Sequence, residues 1–275
     1  MARYLGIDVG SVSLNVVVMD ESRQVLVRRY VRTMGRPIQA AVDALSALLE
    51  QAGDIHFQGA AVTGSGKDLV SGSIGAVVIN EIVAHATGAW TIRPDVASII
   101  EIGGQDSKFI QVGRDAGGSH YLKDHAFNEL CAAGTGAFLD QQAARLGLDL
   151  DTFSTQAAAA ARPARLSGRC SVFAKSDMIH LQQKATPVGE IAAGLCFALA
   201  RNYLATLCRG RHPQPPILFQ GGVASNAGVV RAFREILALD DQALVVPPDH
   251  DVMGAFGAAV HSMSRPFEEI GRAHV

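Results

Sequence analysis

Three glycine-rich turns in the sequence each follow a short apolar run. They are Asp8-Val9-Gly10-Ser11, Gly103-Gly104-Gln105-Asp106 and Gly221-Gly222-Val223-Ala224-Ser225-Asn226. Glycine lets backbone N–H groups approach a phosphate closely, where the Cβ atom of another residue would clash. Any one of these turns, taken alone, is more often an ordinary β-turn with solvated polar residues. Together they make a phosphate site the hypothesis to test.

Four polar residues around the first two turns are the candidates for catalysis. Asp8, Glu101 and Asp106 supply carboxylates that can hold Mg²⁺ directly or through water. Gln105 is a candidate for orienting an attacking water, as glutamines do in other nucleotide hydrolases.

The four cysteines divide into two pairs. Cys196 and Cys208 lie among apolar residues at helical spacing, which predicts two buried thiols that only pack. Cys131 is predicted to start a helix, where the backbone N–H groups favour a thiolate, and Cys170 lies in the segment Gly168–Ala174. These two are either ordinary thiols or metal ligands. An iron–sulfur cluster normally takes four thiolates, a count that a symmetric dimer would supply.

The composition excludes several broad classes. The chain has 275 residues, of which 48% are hydrophobic and 18% charged, so we expect packed domains and not disorder. A net charge of −2 argues against binding nucleic acid or acidic membranes through bulk charge. No apolar run is long enough to span a membrane, and the first residues do not resemble a signal peptide. We therefore expect a cytoplasmic protein.

The elements that carry the first two turns repeat along the chain. Leu5–Ser11 and Ile99–Gly104 each read as a strand that ends in an acid, an aliphatic residue and glycine, and each is followed by another β-run. The second acid, Glu101, lies 93 residues after Asp8, about the size of one small α/β domain. This favours duplication over a chance match.

Periodicity predicts strands and two helices in the first third of the chain, and mostly helices later. The predicted strands are Tyr4–Asp8, Val12–Met19, Val25–Val31, Phe57–Val62, Ser107–Val112, Ile217–Gln220 and Ala243–Val246. The predicted helices are Ile38–Gln51, Asn80–Trp90, Cys131–Leu146, Asp151–Ala161, Pro187–Cys208, Val229–Leu239 and Gly254–Met263.

This arrangement resembles the ATPase fold shared by actin, sugar kinases and heat-shock chaperones. The resemblance implies an α/β fold with two duplicated ribonuclease-H-like domains around a nucleotide cleft. Residues 1–95 with 254–275 would form the first domain, and residues 96–253 the second, which carries the adenosine turn and Cys131 and Cys170. The small residues from Gly254 to Ala259 are similar to the second connecting helix of that fold.

Four motifs narrow the resemblance to one family. They are Ile102–Lys108, Asn128–Leu139, Cys170–Ala174 and Gly221–Asn226, which occur in that order across the chain. They are similar to the phosphate, cluster and adenosine motifs of the 2-hydroxyacyl-CoA dehydratase activators. These activators belong to the BadF/BadG/BcrA/BcrD-type ATPase family, which also contains ATP-binding subunits of benzoyl-CoA reductase.

The resemblance implies cofactors and partners. It implies ATP or ADP with Mg²⁺, and one 4Fe–4S cluster bound by Cys131 and Cys170 at the centre of a homodimer. Ferredoxin or flavodoxin would reduce the cluster, and ATP hydrolysis would drive one electron into a dehydratase or reductase. The nucleotide-binding positions that it implies are Gly10, Ser11, Val12, Ser13, Gly103, Gly104, Lys108, Gly134, Gly136, Gly221, Gly222, Val223, Asn226 and Gly254.

Some positions depart from the family pattern. Asn15 stands where many members carry Lys, and Val12 stands where Thr is usual; Lys108 is the candidate to supply the missing charge. Three alternative functions remain open from the residues: a small-molecule kinase of the same fold, an ATPase subunit of a benzoyl-CoA-reductase-like enzyme, and a nucleotide-dependent interaction module without a redox role.

Overall fold

The computed structural model describes residues 2–52, 56–128, 132–167 and 171–264. The chain divides into two compact units, Met1–Pro94 with Val252–Val275, and Asp95–Asp251. Cys131 and Cys170 lie outside the described residues.

The first unit is built on a five-stranded mixed sheet in the order β3-β2-β1-β4-β5. Strands β1, β2 and β3 form an antiparallel meander, and β4 and β5 run parallel to β1. The first two strands are almost wholly buried, as expected for near-continuous apolar runs covered on both faces. Their bounds are β1 Arg3–Val9, β2 Ser13–Asp20, β3 Val25–Arg32, β4 Gly59–Thr63 and β5 Val77–Val78.

Helices cover both faces of this first sheet. One face packs on α1 (Pro37–Ala52) and α2 (Lys67–Ile74) through alternate residues of the strands, such as Ile7 and Val16. The other face packs on α3 (Glu81–Ile92) and on α9 (Met253–Met263), the last helix of the chain. Gly6 lies on this second face, where a Cβ atom would collide with Ala255. Small residues in α9 thus let the helix lie directly on the sheet.

The second unit repeats the same sheet. Its strand order is β8-β7-β6-β9-β10, again with an antiparallel meander on one side of the central strand and parallel strands on the other. Each meander also contains one register irregularity, at Val18/Met19 and at Gln111/Val112. The bounds are β6 Ser98–Ile102, β7 Ser107–Arg114, β8 His120–Asn128, β9 Ile217–Gln220 and β10 Leu244–Val245. The predicted α/β class and duplication are confirmed.

A largely buried helix organises the core of the second unit. Helix α7 is apolar around most of its circumference and is enclosed by the sheet and by neighbouring helices. Phe233 makes edge-to-face contacts with Phe219 and Tyr203, at ring-centroid distances of 5.3 Å and 5.5 Å. The helices are α4 Gly136–Arg145, α5 Leu150–Ala159, α6 Ser171–Gln183, α7 Val188–Leu207 and α8 Ala227–Leu237, with 3₁₀ turns at Ala132–Gly134 and Gly222–Ser225.

Four elements were not predicted from the sequence, namely α2, β5, β8 and α6. The predicted helix Cys131–Leu146 differs in its described part, because Thr135 adopts an extended conformation and separates a 3₁₀ turn from α4. Within the described ranges, none of the helices is both long and apolar enough to cross a membrane.

Candidate functional site

Asp8 lies at the carboxyl end of the central strand of the first unit. It is 7% exposed and is paired with Asn15 on β2 and with Thr63 on β4. Two glycines border its carboxylate: a Cβ atom at Gly64 would lie 2.5 Å from Asp8 Oδ1, and one at Gly254 would collide with Oδ2. Gly64 also has a φ of +91°, which disfavours other residues. The carboxylate is therefore seated where only glycine fits beside it.

The turn after Asp8 is held by its own backbone and by the end of β3. The Gly10 N–H donates to the Ser13 carbonyl at 2.9 Å, which closes the hairpin between β1 and β2. Thr33 secures the turn from the side, with its N–H donating to Val12 O at 2.9 Å and its hydroxyl donating to Ser11 O at 2.8 Å. The four predicted phosphate-turn residues 10–13 thus form one ordered turn next to Asp8.

In the second unit, Glu101 is the counterpart of Asp8. It is 4% exposed and lies beside Lys108, whose ammonium donates to Glu101 Oε2 at 3.1 Å and to Asp106 Oδ2 at 2.7 Å. A close ammonium offsets the cost of burying a carboxylate. The Tyr203 hydroxyl donates to the Lys108 carbonyl at 2.6 Å, which fixes this part of β7 from α7. Three predicted site residues are therefore in direct contact.

The Gly103–Asp106 turn packs on the start of α4. Its carbonyls at Gly103 and Gly104 accept from the N–H groups of Gly136 and Ala137, both at 2.8 Å. A Cβ atom at Gly136 would lie 3.0 Å from Gly103 O and 3.1 Å from a methyl group of Val223. Predicted residues from three of the four motifs, Ile102–Lys108, Asn128–Leu139 and Gly221–Asn226, are thus neighbours. Gln105 lies exposed at the tip of the turn.

The third glycine turn also lies against Glu101. Gly221 has a φ of +88°, and a Cβ atom there would lie 2.7 Å from Glu101 Oε1 and would collide with the Ile102 carbonyl. Its N–H donates to His250 O at 2.7 Å, and its carbonyl lies 3.1 Å from His250 Nδ1. Gly222 follows directly and begins the 3₁₀ turn.

Asn226, the last residue of that motif, caps α8. Its side-chain oxygen accepts from the Val229 N–H at 3.1 Å, as asparagines at helix starts commonly do. The Cys196 thiol also lies 3.7 Å from the same oxygen. Asn226 therefore has a structural role that its predicted nucleotide contact would have to share.

Gly134 lies over a group of polar side chains, two of which are buried. A Cβ atom at Gly134 would lie 3.1 Å from Asn202 Oδ1 and 3.5 Å from Asn128 Nδ2, with Ser107 Oγ at 3.9 Å. Ser107 is fully buried, and Asn202 is 5% exposed. The predicted nucleotide contact of Gly134 stays a prediction; what the structure assigns to this glycine is close packing over polar groups.

The two cysteines that lie in the described part of the chain are Cys196 and Cys208, which were predicted to pack in the core. Cys196 and Cys208 are free, buried thiols in and after α7, as the spacing predicted. Burial raises the pKa of both thiols, that of Cys208 to about 12. They are therefore neutral near pH 7 and unsuited to metal binding, which needs the thiolate.

Several residues of these sites were missed in the sequence. Thr63 is fully buried beside Asp8, and His85 is 4% exposed with its Nε2 4.0 Å from Glu81 Oε1. The i,i+4 spacing of Glu81 and His85 on a predicted helix was the available signal. Tyr203 gave no such signal, because its partner is a backbone carbonyl 95 positions away.

Each unit therefore presents a buried carboxylate at the end of its central strand, next to a glycine turn. Comparison with known proteins agrees with this arrangement. Residues 5–262 match the profile of the BadF/BadG/BcrA/BcrD ATPase family. The chain belongs to this ATPase family.

Members and solved structures of known activity resemble the chain over nearly its full length. The activator of lactoyl-CoA dehydratase from Anaerotignum propionicum is 34% identical, over 94% of this chain and 96% of the activator. The crystal structure of (R)-2-hydroxyglutaryl-CoA dehydratase component A from Acidaminococcus fermentans superposes with a TM-score of 0.87 at 29% identity, covering 96% of this chain and 99% of that one. The ADPNP-bound activator of 2-hydroxyisocaproyl-CoA dehydratase from Clostridium difficile gives a TM-score of 0.85 at 27% identity, covering 99% and 100%.

Proposed function

We propose that this protein is an ATP-dependent one-electron donor that activates an enzyme of the 2-hydroxyacyl-CoA dehydratase type. The observation that carries the proposal is the match over 94% of the chain to an activator of lactoyl-CoA dehydratase. ATP hydrolysis would drive the electron into the partner, which would use it to begin radical chemistry on a CoA thioester.

The glycine turns are proposed to hold the nucleotide. Supporting this, Gly103 and Gly136 are packed backbone to backbone, and Gly221 leaves no room for a Cβ atom over Glu101. Such turns let a phosphate approach main-chain N–H groups. The other proposed contacts are Gly10, Ser11, Val12, Ser13, Gly104, Gly134, Gly222, Val223, Asn226 and Gly254.

The acids of both units are proposed to position Mg²⁺ and the attacking water. Asp8 and Glu101 are buried carboxylates beside these turns, which suits them to hold a hydrated Mg²⁺ against phosphates. Asp106 is held by Lys108, and exposed Gln105 is proposed to orient the water. Because the Lys108 ammonium is shared between two carboxylates, we propose that it acts by fixing them, in addition to any contact with a phosphate.

Cys131 and Cys170 are proposed as ligands of one 4Fe–4S cluster shared by two copies of the chain. Two thiolates from each copy supply the four that such a cluster takes. When bound, the cluster supplies the single low-potential electron. In support, a 3₁₀ helix begins at Ala132, directly after Cys131, and α6 begins at Ser171, directly after Cys170. The N–H groups of helix starts favour bound thiolates.

The partners follow from the same proposal. The protein would act in the cytoplasm as a homodimer, with ferredoxin or flavodoxin as its reductant. A dehydratase is the proposed acceptor, and a benzoyl-CoA-reductase-type enzyme is the alternative from the same family.

Iron analysis of anaerobically purified protein tests the proposal. We expect a brown homodimer with about four irons, a cluster signal in electron paramagnetic resonance after reduction, and ATP hydrolysis. Cys131→Ser and Cys170→Ser should each lose the iron. Cys196→Ser is the matched control and should keep it, because that thiol is buried in the core.

Three results would contradict the proposal. A dimer that stays colourless after anaerobic reconstitution with iron and sulfide would exclude the redox role. Phosphoryl transfer to a sugar that survives the Cys131→Ser/Cys170→Ser double change would favour the kinase function. Loss of iron in Cys196→Ser would mean that the cluster is formed within one chain.

A further inference from the structure

The first unit has a buried histidine beside its central acid. His85 lies on α3 and is 4% exposed, and Asp8, near the end of β1, is 7% exposed. A Cβ atom at Gly254 would collide with Asp8 Oδ2 and would lie 3.3 Å from His85 Nε2. Because both atoms border the same point beside Gly254, the imidazole nitrogen and the carboxylate oxygen are neighbours.

Small residues in two helices bring this histidine to the end of β1. A Cβ atom at Gly257 of α9 would collide with the Ala84 carbonyl of α3. One at Gly88 of α3 would lie 3.0 Å from the Met253 carbonyl of α9. His85 lies between these two contacts on α3. The close packing therefore fixes its place against α9, the helix that lies directly on β1.

The arrangement parallels the acids of the second unit. There the Lys108 ammonium lies 3.1 Å from buried Glu101 and 2.7 Å from a second, more exposed acid. In the first unit, His85 Nε2 lies beside buried Asp8 and 4.0 Å from Oε1 of Glu81, a side chain that is 26% exposed. Each unit thus places one nitrogen next to its central acid and a second, more exposed acid.

Glu81 alone does not account for the inward placement of His85. The 4.0 Å between Glu81 Oε1 and His85 Nε2 exceeds the roughly 2.7–3.2 Å of an N–H···O hydrogen bond. Burying a polar ring nitrogen without a hydrogen-bond partner is costly, so buried imidazoles are expected to meet acceptors or donors. The Asp8 carboxylate supplies an acceptor on the Nε2 side of the ring.

We propose that His85 is a positioning residue, whose Nε2–H donates to Asp8 Oδ2 and holds the carboxylate in one orientation. The inference rests on the proposed function, in which Asp8 holds the hydrated Mg²⁺ of the nucleotide. Hydrogen-bond partners of carboxylates that hold a metal orient them and tune the affinity for the ion. The other oxygen, Asp8 Oδ1, borders Gly64 and is left for the hydrated ion.

An imidazole suits this role for a chemical reason. A neutral imidazole can donate from Nε2, whereas the Lys108 ammonium brings a positive charge to its acid. A neutral donor orients the Asp8 carboxylate and leaves its negative charge to attract a cation. The two units therefore treat their central acids differently, because Glu101 is neutralised by its neighbour and Asp8 is oriented by its own.

Mg²⁺-dependent binding of the ATP analogue ADPNP tests the role, by isothermal titration of anaerobically purified protein. His85→Leu should raise the Mg²⁺ concentration needed for tight binding about tenfold or more, because the carboxylate loses its orienting partner. His85→Gln keeps an N–H donor and should recover most of that loss. Binding of ADPNP in EDTA should be unchanged in both. The matched control is Thr91→Val, which removes a hydrogen bond within α3 to the Thr87 carbonyl at 2.7 Å.

A double-mutant cycle with Asp8→Asn shows whether His85 acts through Asp8. We expect His85→Leu to have no further effect on the Mg²⁺ dependence in the Asp8→Asn background, since there is then no carboxylate to orient. Thermal unfolding and circular dichroism show that each variant is folded. An equal loss in the Asp8→Asn background, or a loss that persists in EDTA, would mean that His85 only supports the fold and would overturn the proposal.

NMR of the nucleotide-free wild type decides the matter even if His85→Leu does not fold. Labelling histidine with ¹⁵N reports which ring nitrogen carries the hydrogen, and the His85 signal is the one missing from His85→Gln. We expect the hydrogen on Nε2, and a bare Nε2 would overturn the proposal. Wild-type ADPNP binding without any dependence on Mg²⁺ would refute the Mg²⁺ site of the proposed function and the role of His85 with it. Mg²⁺-dependent binding that His85→Leu leaves intact would refute this inference alone.

Discussion

The Lys108 ammonium lies 3.1 Å from Glu101 Oε2, and each side chain is 5% exposed. The same ammonium lies 2.7 Å from Asp106 Oδ2, on a side chain that is 36% exposed. Two acids of the candidate site therefore depend on one buried positive charge. Losing one member of a buried ion pair leaves the other charge uncompensated in a place that water reaches poorly.

Lys108→Met should destabilise the protein by about 3–5 kcal/mol, because it leaves Glu101 buried without its cation. Urea unfolding measures the change in the free energy of unfolding. Glu235→Gln removes the surface pair with Arg231, which joins side chains 25% and 49% exposed, and should cost only about 0.2–1 kcal/mol. Equal costs for the two variants would show that Lys108 does not stabilise the acids.

Gly221→Ala should be far more costly than Gly210→Ala. Both glycines have positive φ, +88° and +74°, so both substitutions strain the backbone, by about 1–3 kcal/mol. A Cβ atom at Gly210 meets no described atom within 4 Å, whereas one at Gly221 meets Glu101 and Ile102. Overpacking adds about 1–3 kcal/mol at Gly221 and should also weaken nucleotide binding. Thermal unfolding with and without ADP would measure both the loss of stability and the loss of nucleotide binding. Equal losses of stability in Gly221→Ala and Gly210→Ala would refute the close contact at Gly221.

Gly254→Ala should impair the Asp8 site even though alanine is the better helix former. A methyl group there would collide with the Asp8 carboxylate and lie 3.3 Å from His85 Nε2. Gly72 in α2 is the control, because a Cβ atom there meets no described atom within 4 Å, and Gly72→Ala should stabilise the protein by up to about 1 kcal/mol. Isothermal titration with ATP and calorimetric unfolding should separate the variants. Unchanged ATP affinity in Gly254→Ala would argue against a role of this contact.

The two core thiols should not react in the native protein. In the Cys131→Ser/Cys170→Ser variant, Ellman's reagent should find no reactive thiol at pH 9 and two after unfolding in guanidinium, since Cys196 and Cys208 are the remaining cysteines and both are buried. Burial raises the thiol pKa, to about 12 for Cys208. The stability gained by burying neutral thiols is fully present below about pH 8.5, the ordinary thiol pKa. It is lost progressively as the pH rises from there towards the pKa of the thiols in the folded protein, because the thiols of the unfolded chain then ionise first. Rapid labelling of the folded variant would refute the burial.

The sequence predicted elements with a strong apolar pattern well and elements without one poorly. The predicted strand Ile217–Gln220 has those bounds in the structure, and the predicted helix Pro187–Cys208 became Val188–Leu207. The edge strand β8 was missed because His120–Asn128 is rich in polar residues and alternates only between half-buried and exposed positions. Helix α6 was missed because Ser171–Gln183 has no clear apolar face.

Asp8 and Glu101 were singled out in the sequence because they lie at the ends of apolar strands, shortly before glycines, which are local signals. Their surroundings depend on pairing between distant strands, so the sequence could not supply them. Thr63 contributes to the Asp8 site only because β4 lies parallel to β1, 55 positions away in register. The pairing of Lys108 with both Glu101 and Asp106 likewise needed the β6–β7 register.

Both sheets end, on one side, in strands of only two residues, Val77–Val78 and Leu244–Val245. The edge strands on the opposite side, β3 and β8, are long, but they carry charged side chains. Among these are Arg28 and Arg29 on β3 and Lys123 and Asp124 on β8. Short or charged edges give a strand from another molecule little to extend. The edge strands of both sheets are therefore poor templates for aggregation, whatever reaction the protein catalyses.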